Sequence, residues 1–482
     1  MIVNRRTFLR RSISSALGGA ALYGALGNLK VMAAAANLNK GVIPNDYRAL
    51  VCVFLHGGND SANSLVPHNA TNASPGGNTY GVYSATRPAM AVAQGDALAQ
   101  ALNPLGDGLP GDGASYGLHP SMPELRTLFN GGQAAVVANV GTLFGPITRA
   151  EYQANQGLAP PQLFSHSDQA NFWQTSRPDD ANADGWGGRI ADLLYASNPN
   201  QQLPMTMSLS SQSLFQRGST VDQYVMQACS NDGSSCGVTT IDYLGAYQNE
   251  LGTQTFEALM AAGVQSHLFQ RAYGASTRRA VSTYQRLGQV LGSLPIWATP
   301  FPTSSLGQQL RQVANLINVR GAGGLDMRRQ IFFVSAGGYD THDAQLATHP
   351  NLLRDLSRSL DAFYRATAQM GIAGSVTSFT ASDFGRTLST NGDGTDHGWG
   401  GHHFVLGGAV RGQRFYGRMN SLAQSNNPDD AGYGQIIPTT GVDQYAATLA
   451  TWFGVAPGDL GLLFPSLANF DVGVRNLGFM NA

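Results

Sequence analysis

The stretch Ala49-Leu50-Val51-Cys52-Val53-Phe54-Leu55-His56-Gly57-Gly58-Asn59-Asp60-Ser61 decides the fold class. Its apolar run is too short for an ordinary helix and does not alternate with polar residues, the pattern of a strand covered on both faces. It then passes directly into a glycine loop carrying an acid. The same grammar recurs twice: Gln330 to Ala336 runs into Gly337-Gly338-Tyr339-Asp340-Thr341-His342-Asp343, and Ser375 to Ala381 into Ser382-Asp383-Phe384-Gly385-Arg386. Ala134 to Val140 and Phe404 to Leu406 are further short apolar runs, and helical periodicity appears between them, at Ser304 to Val319 and Leu352 to Met370. Strands alternating with helices predict an α/β chain, a doubly wound and mostly parallel central sheet with helices on both faces.

Residues 41–482 read as a single α/β domain. Within it, from about Ser210 to Pro300, the strand signal disappears, and Leu244 to Leu291 reads as helix with a break near Gly263, so 210–300 is expected to be a helical insertion or cap. Gly/Asn/Ser/Pro-rich stretches at Ala70 to Gly81 and Gly106 to Gly117 read as long surface loops.

Only 12% of the 482 residues are charged, with 29 Lys+Arg against 30 Asp+Glu, while 43% are hydrophobic and 59 are glycine. This composition excludes a disordered chain and a nucleic-acid-binding surface. Lys30 and Lys40 are the only lysines, and no G-x-x-x-x-G-K precedes either, which excludes a pyridoxal Schiff base and a phosphate-loop nucleotidase. No nicotinamide or flavin fingerprint is visible.

Residues 1–36 carry Arg5, Arg6, Arg10, Arg11 and Lys30 with no acid, then an Ala/Gly/Leu stretch and the small-residue run Ala33 to Ala36. This is a basic n-region, an h-region and an A-x-A site, and Asn4-Arg5-Arg6-Thr7-Phe8-Leu9-Arg10 looks like a twin-arginine signal. The expected partner is the twin-arginine export machinery, and the expected location periplasmic or secreted. The stretch from Ser12 to Leu29 is Gly-rich and barely long enough to span a bilayer, and nothing after it approaches a span, so the mature protein is expected to have none. Without the leader 24 basic side chains face 30 acidic ones, a balance that suits divalent cations. Of three cysteines, Cys229 and Cys236 are spaced to close a small loop in an oxidising compartment, and Cys52 lies inside an apolar run.

In open α/β sheets ligands sit at the carboxyl ends of the strands, so Asp60, Asp340 and Asp383 are expected to converge on one crevice. Five of the 10 histidines, His342, His349, His397, His402 and His403, fall within the segment 342–403. Carboxylates with imidazoles and no thiolates form a ligand set for Zn²⁺, Mn²⁺, Mg²⁺ or Ca²⁺, one or two ions. Acids after strands also serve as turn formers and helix caps.

At these residues the chain resembles a family of twin-arginine-exported bacterial proteins, the domain-of-unknown-function family numbered fifteen-oh-one. The resemblance is carried by the leader, the Gly57 to Asp60 loop, Gly117-Leu118-His119-Pro120, Ser165-His166 with Trp173, Gly338-Tyr339-Asp340-Thr341-His342, and Asp383-Phe384-Gly385-Arg386-Thr387 followed by Asp396-His397. That family is similar to the alkaline phosphatase and sulfatase superfamily. The resemblance implies an alkaline-phosphatase-like fold with Asp60 and Asp383 holding one ion and Asp340, His342 and His402 or His403 the other, His397 lying at the edge of the cleft and counted among the metal candidates. It further implies a hydroxyl nucleophile, Ser165 beside His166, or Ser61 beside Asp60, and Arg386 as a clamp on an anionic oxygen. The superfamily's usual Asp-x-x-x-His and Asp-His pairs are here Asp340-Thr341-His342 and Asp383-Phe384.

The expected activity is metal-dependent hydrolysis of a phosphate or sulfate ester, on an anionic small molecule or polymer. Two rivals stand beside it. One is a catalytically decayed secreted binding or assembly protein on the same fold. The other is a serine esterase, suggested by Gly113-Ala114-Ser115-Tyr116-Gly117 and His56-Gly57-Gly58, although loop flanks the serine where the elbow demands a strand.

Overall fold

The structure is a computed structural model; it describes residues 46–74, 76–201, 203–230, 250–260, 267–291 and 295–481. The leader and Cys236 lie outside the described residues. Of the other two cysteines, Cys52 is a buried free thiol and Cys229 is disulfide-bonded.

Nine strands form the central sheet: β1 Arg48–Leu55, β2 Ala134–Gly141, β3 Thr206–Ser208, β4 Tyr224–Val225, β5 Arg329–Ala336, β6 Val376–Ser382, β7 Gly401–Gly407, β8 Phe415–Tyr416 and β9 Thr440–Gly441. Their order is β8-β2-β7-β6-β1-β5-β3-β4, with β9 also on β2. The long apolar runs form the middle of this order, and the β3, β4, β8 and β9 pieces, of two or three residues each, carry too little pattern to be legible in sequence.

β1 lies parallel to β5 and β6, Leu50 opposite Ile331 and Thr377. β7 is antiparallel to both β6 and β2, and this reversal matters for the site. Because β7 starts at the edge where β6, β1 and β5 end, the segment leading into it, residues 391–400 with the short strand Thr395–His397, reaches the same edge as the loops after those strands.

The helices used below are α1 Pro123–Asn130, α2 His166–Thr175, α3 Trp186–Leu193, α4 Leu268–Val290, α5 Ser305–Asn318, α6 Gln345–Gln369 and α7 Val442–Phe453. Successive residues of β1 serve opposite sides of the sheet, as the two-residue period of a strand requires. Ala49, Val51, Val53 and Leu55 pack in a core with Leu125, Leu310 and Leu356 of α1, α5 and α6. Leu50, Cys52 and Phe54 join the other core with Ile190 and Leu449 of α3 and α7. Each buried Val, Leu, Ile or Phe among them contributes roughly 1.5–3 kcal/mol. The sheet is therefore mostly parallel and covered by helices on both faces.

α5 matches its periodicity, with the Ser304 hydroxyl capping Gly307 N at 3.1 Å. α6 starts seven residues before the apolar pattern does, because Gln345 to Asn351 forms a helical turn around Pro350 whose residues serve polar contacts. In the 210–300 region the structure contains β4, the helix Glu250–Met260 and α4. Among the described residues no helix is long and apolar enough to cross a membrane.

Candidate metal centre

Three loops meet at the carboxyl edge because glycine lets them. Gly57 and Gly58 hold φ of +114° and +86°, and a Cβ on Gly57 would sit 2.3 Å from the backbone N of Asp340. With that contact available, Gly57 N donates to Asp383 Oδ2 at 3.0 Å, and Asn59 bridges to Gly385.

Asp340, just beyond β5, is the centre of the site. Its Oδ1 accepts from Arg386 Nη1 at 2.6 Å, and the Nε2 atoms of His342, His166 and His397 lie 3.1, 3.3 and 3.4 Å from the same oxygen. His342 Nε2 and His397 Nε2 are 2.9 Å apart. Ligand atoms of His166, Asp340 and His397 all fall within 4.8 Å of one another. All four side chains are part-exposed, so the group opens to solvent.

The far side of every ring is anchored. His166 Nδ1 lies 2.7 Å from Asp383 Oδ2, His342 Nδ1 3.1 Å from Asp396 Oδ1, and His397 Nδ1 2.8 Å from the carbonyl oxygen of Phe164. An imidazole whose Nδ1–H is held by an acceptor keeps its lone pair on Nε2, which is the arrangement of metal-binding histidines. The Nε2 atoms then present lone pairs to each other and to a carboxylate oxygen, an arrangement that repels unless a shared proton or a metal cation lies among them. One carboxylate oxygen has too few lone pairs to accept from three imidazoliums and a guanidinium. His166 Nε2 and Asp383 Oδ1 are buried atoms with no hydrogen-bond partner. The donor set fits a divalent ion.

Burial alone would raise the Asp340 carboxyl, but the Arg386 hydrogen bond and charge, with His166 and His342, outweigh it and hold the group below the ordinary carboxylate range. Burial pushes His397 down, against the Phe164 carbonyl, and pushes His56 down, against Asp383.

The remaining candidates fall elsewhere. Asp60 is fully buried, paired with Arg87, accepting from Gln345 Nε2 and capping Asn63 N at 3.3 Å. His402 Nδ1 accepts from Asn139 N at 3.1 Å, and His403 Nδ1 lies 3.2 Å from the Thr380 hydroxyl with its ring against Trp173. Burial drives these two histidines down to about 4 and about 3. Arg386 is enclosed, giving its remaining hydrogen bonds to the Gly57 carbonyl at 3.0 Å and to Thr395. Ser165 occupies the cap position of α2 with its hydroxyl on Asp168, and Ser61 is buried in the turn Ser61–Ser64. Ser115 is exposed, its N–H bonded to Asn69 Oδ1.

The Phe164 carbonyl was not singled out from sequence, and Asp396 and His56 appeared there only in the family motif and the esterase pattern; His56 Nδ1 stands 3.9 Å from Asp383 Oδ1. Asp396 is adjacent to His397 in the sequence, but nothing local shows that it bonds His342 instead. A backbone carbonyl leaves no trace in residue type.

A protein-family model described as a protein of unknown function, DUF1501, matches residues 47–439. The chain belongs to this family. No curated protein matches the DUF1501 chain. Among solved structures it is similar to the crystal structure of Ps i-CgsB in complex with k-i-k-neocarrahexaose, at 8% identity over 88% of this chain and 77% of that one, with a TM-score of 0.34. It is similar also to the crystal structure of the PsFucS1 sulfatase from Pseudoalteromonas sp., at 10% identity over 87% and 75%, with a TM-score of 0.30.

Proposed function

We propose that this DUF1501 protein is a metal-dependent hydrolase of phosphate or sulfate esters, exported by the twin-arginine route. The observation that carries the reading is the convergence of three Nδ1-anchored histidines on the Asp340 carboxylate at an open sheet edge.

His166, His342, His397 and Asp340 would hold the ion. When bound, a divalent ion supplies a Lewis acid and lowers the pKa of water. The chain's own residues set the geometry in advance. Asp383, Asp396 and the Phe164 carbonyl orient the three rings, and Arg386, pinned by Gly57 and Thr395, holds Asp340. Preorganisation of this kind removes the cost of assembling the site around each substrate. In the reaction the oxygen of water bonds to phosphorus or sulfur, the bond to the ester oxygen breaks, and the alcohol departs with a proton. Water takes the attacking role in this reading because the nitrogens of His166, the base beside Ser165 in the sequence, are engaged elsewhere, Nδ1 by Asp383 and Nε2 facing Asp340.

That engagement also supports a second reading, a binding or assembly protein that keeps the fold without the chemistry. Elemental analysis of the exported protein, followed by a panel of phosphate mono- and diesters and sulfate esters, separates the two. Bound metal with turnover of one ester class is the expected result; a metal-replete protein inert on the whole panel would sink the hydrolase reading.

A further inference from the structure

Asp60 lies outside the ligand set, yet a chain of hydrogen bonds leads from it back to the cluster. Its side chain and that of Arg87 are fully buried and paired, and Arg87 Nη1 also donates to the Thr387 carbonyl at 3.1 Å. A carboxylate facing a guanidinium has only lone pairs to offer, so the part of Gln345 that meets Asp60 Oδ2 is the amide nitrogen, and Gln345 Oε1 turns the other way. That oxygen accepts from the Thr395 hydroxyl at 2.7 Å and from the Thr341 hydroxyl at 3.0 Å. With its proton given to Gln345, Thr395 Oγ1 accepts from Arg386 Nε at 3.3 Å, and Arg386 Nη1 donates to Asp340 Oδ1 at 2.6 Å. The sense of each bond in the chain thus follows from the carboxylate at its buried end.

The places of the two threonines give the chain its meaning. Thr341 stands between Asp340 and His342 on the loop after β5, and Thr395 immediately precedes Asp396 and lies two residues before His397. One amide oxygen therefore ties together the two segments that bring Asp340, His342 and His397 to the cluster. The backbone closes the same junction, Thr395 N donating to the Thr341 carbonyl at 3.1 Å and Gln345 N to the Asp393 carbonyl at 3.0 Å. Gln345, Thr341 and Thr395 are all buried. In such surroundings a bond lost at one partner leaves the other unsatisfied, so a complete network holds its members to one arrangement.

We propose that Gln345, aligned by Asp60, is a positioning residue of the metal centre. It sets the separation between the loop carrying Asp340 and His342 and the short strand carrying His397, and through Thr395 it sets the angle at which Arg386 meets Asp340. The assignment rests on the metal-binding reading above. A purely structural role would cost stability alone; a positioning role costs metal affinity and ring order in protein that still folds.

The test uses the full-length exported chain, stripped with a chelator and titrated with Zn²⁺ alone, affinity being read by competition with a chelator of known strength. Gln345→Met keeps the length of the side chain and removes both amide groups. Thr395→Val keeps the shape and removes the hydroxyl, and Thr395→Ser restores the hydroxyl. Gln216→Met is the control, since Gln216 is equally buried but donates to the strand carbonyls of Met207 and Ile331 at 2.8 and 2.9 Å. Gln345→Met and Thr395→Val are expected to weaken Zn²⁺ about 10- to 100-fold, with Thr395→Ser within about threefold of wild type and Gln216→Met lower in melting temperature but unaltered in Zn²⁺ affinity. Histidine ring ¹⁵N NMR of the metal-free protein supplies a reading that needs no ion: the signals of His342 and His397 should move in Gln345→Met and Thr395→Val, and those of His402 and His403 should not. Folded Gln345→Met with wild-type Zn²⁺ affinity would overturn the assignment, as would Thr395→Ser binding as weakly as Thr395→Val; should Gln345→Met fail to fold, the Thr395 pair decides. A wild type that takes up no Zn²⁺ would remove the metal reading; ring signals that move in the two variants would still support the positioning role, and unmoved signals would overturn it.

Discussion

The histidines of this protein divide into two regions with opposite physics. His166, His342 and His397 stand part-exposed at the sheet edge, each with Nδ1 tied to an acceptor and Nε2 turned toward the others and Asp340. His402 and His403, only a few residues further along, lie in the sheet, where burial holds them neutral and their Nδ1 atoms bond to Asn139 N and Thr380. His119 and His349 are likewise pushed down to about 4 by burial. The difference teaches that a ligand histidine is marked by what its second nitrogen does. A run of histidines in sequence does not separate the two kinds; an Nδ1 held by an acceptor oxygen with Nε2 facing Asp340 does, whereas His402 Nδ1 accepts instead, from Asn139 N.

The comparison breaks most visibly under substitution within each class. His342→Ala and His397→Ala should abolish stoichiometric metal, read by elemental analysis, with little change in the melting temperature of the metal-free protein. His403→Ala should retain metal and cost about 2–4 kcal/mol of stability, since it opens a cavity against Trp173 and Tyr445. Metal retained in His397→Ala would dissolve the distinction.

A second test concerns the anchors. Asp383→Asn and Asp396→Asn keep the shape of each anchoring group and remove its charge, and should weaken metal affinity about 10- to 100-fold while leaving the fold intact. Competition with a chelator of known affinity measures this. An unaltered affinity in Asp383→Asn would mean that His166 is not a ligand.

Protons sharpen the same contrast. Folded His402 and His403 titrate near 4 and 3, against about 6.5 in the unfolded chain. The unfolded state therefore binds more protons in that window, and their stabilisation is complete above pH ~6.5 and lost as pH falls, at up to ~1.4 kcal/mol per pH unit for each group. Asp443 acts in the opposite sense: burial raises it to about 7 against the Ser176 hydrogen bond and the Arg189 charge. Its contribution is complete below about pH 3.8 and declines as pH rises toward 7. Chemical denaturation of the metal-free protein from pH 4 to 7 should show stability rising with pH, more shallowly in His403→Leu and more steeply in Asp443→Asn. A slope unchanged by either variant would contradict the assignments.

The smallest effect should come from Ser165→Ala, which removes a hydroxyl bonded to Asp168 at the start of α2. That hydroxyl makes no cap bond to the helix backbone, so stability should change by about 0.5 kcal/mol or less, and with water as the attacking group turnover should fall less than threefold. A thousandfold loss would restore Ser165 as nucleophile.

Much of the fold was legible because the five apolar runs have one physical cause, burial of a strand on both faces, and each lies within a few residues of its observed strand. The antiparallel sense of β7 was not legible, since a strand's direction is a property of its neighbours. For the site, Asp340, His342 and His397 were visible as residue types that bind metal, and His166 as part of a family motif with a different role. Asp60 shows the limit: it follows β1 as Asp340 follows β5 and Asp383 follows β6, yet Gly57 and Gly58 turn the backbone so that it ends beside Arg87 instead.

By itself, then, the sequence determined the layer order of strands and helices, the edge at which acids and histidines gather, and the exclusion of lysine-dependent and thiolate chemistry. These follow from local properties: side-chain period, glycine placement and residue inventory. Which imidazoles meet, and what holds the far nitrogen of each, was decided by tertiary structure alone. His166, Asp340 and His397 come from three distant segments, and the Phe164 carbonyl that fixes one of the rings belongs to the backbone, so only the closed fold brings their three ligand atoms within 4.8 Å of one another.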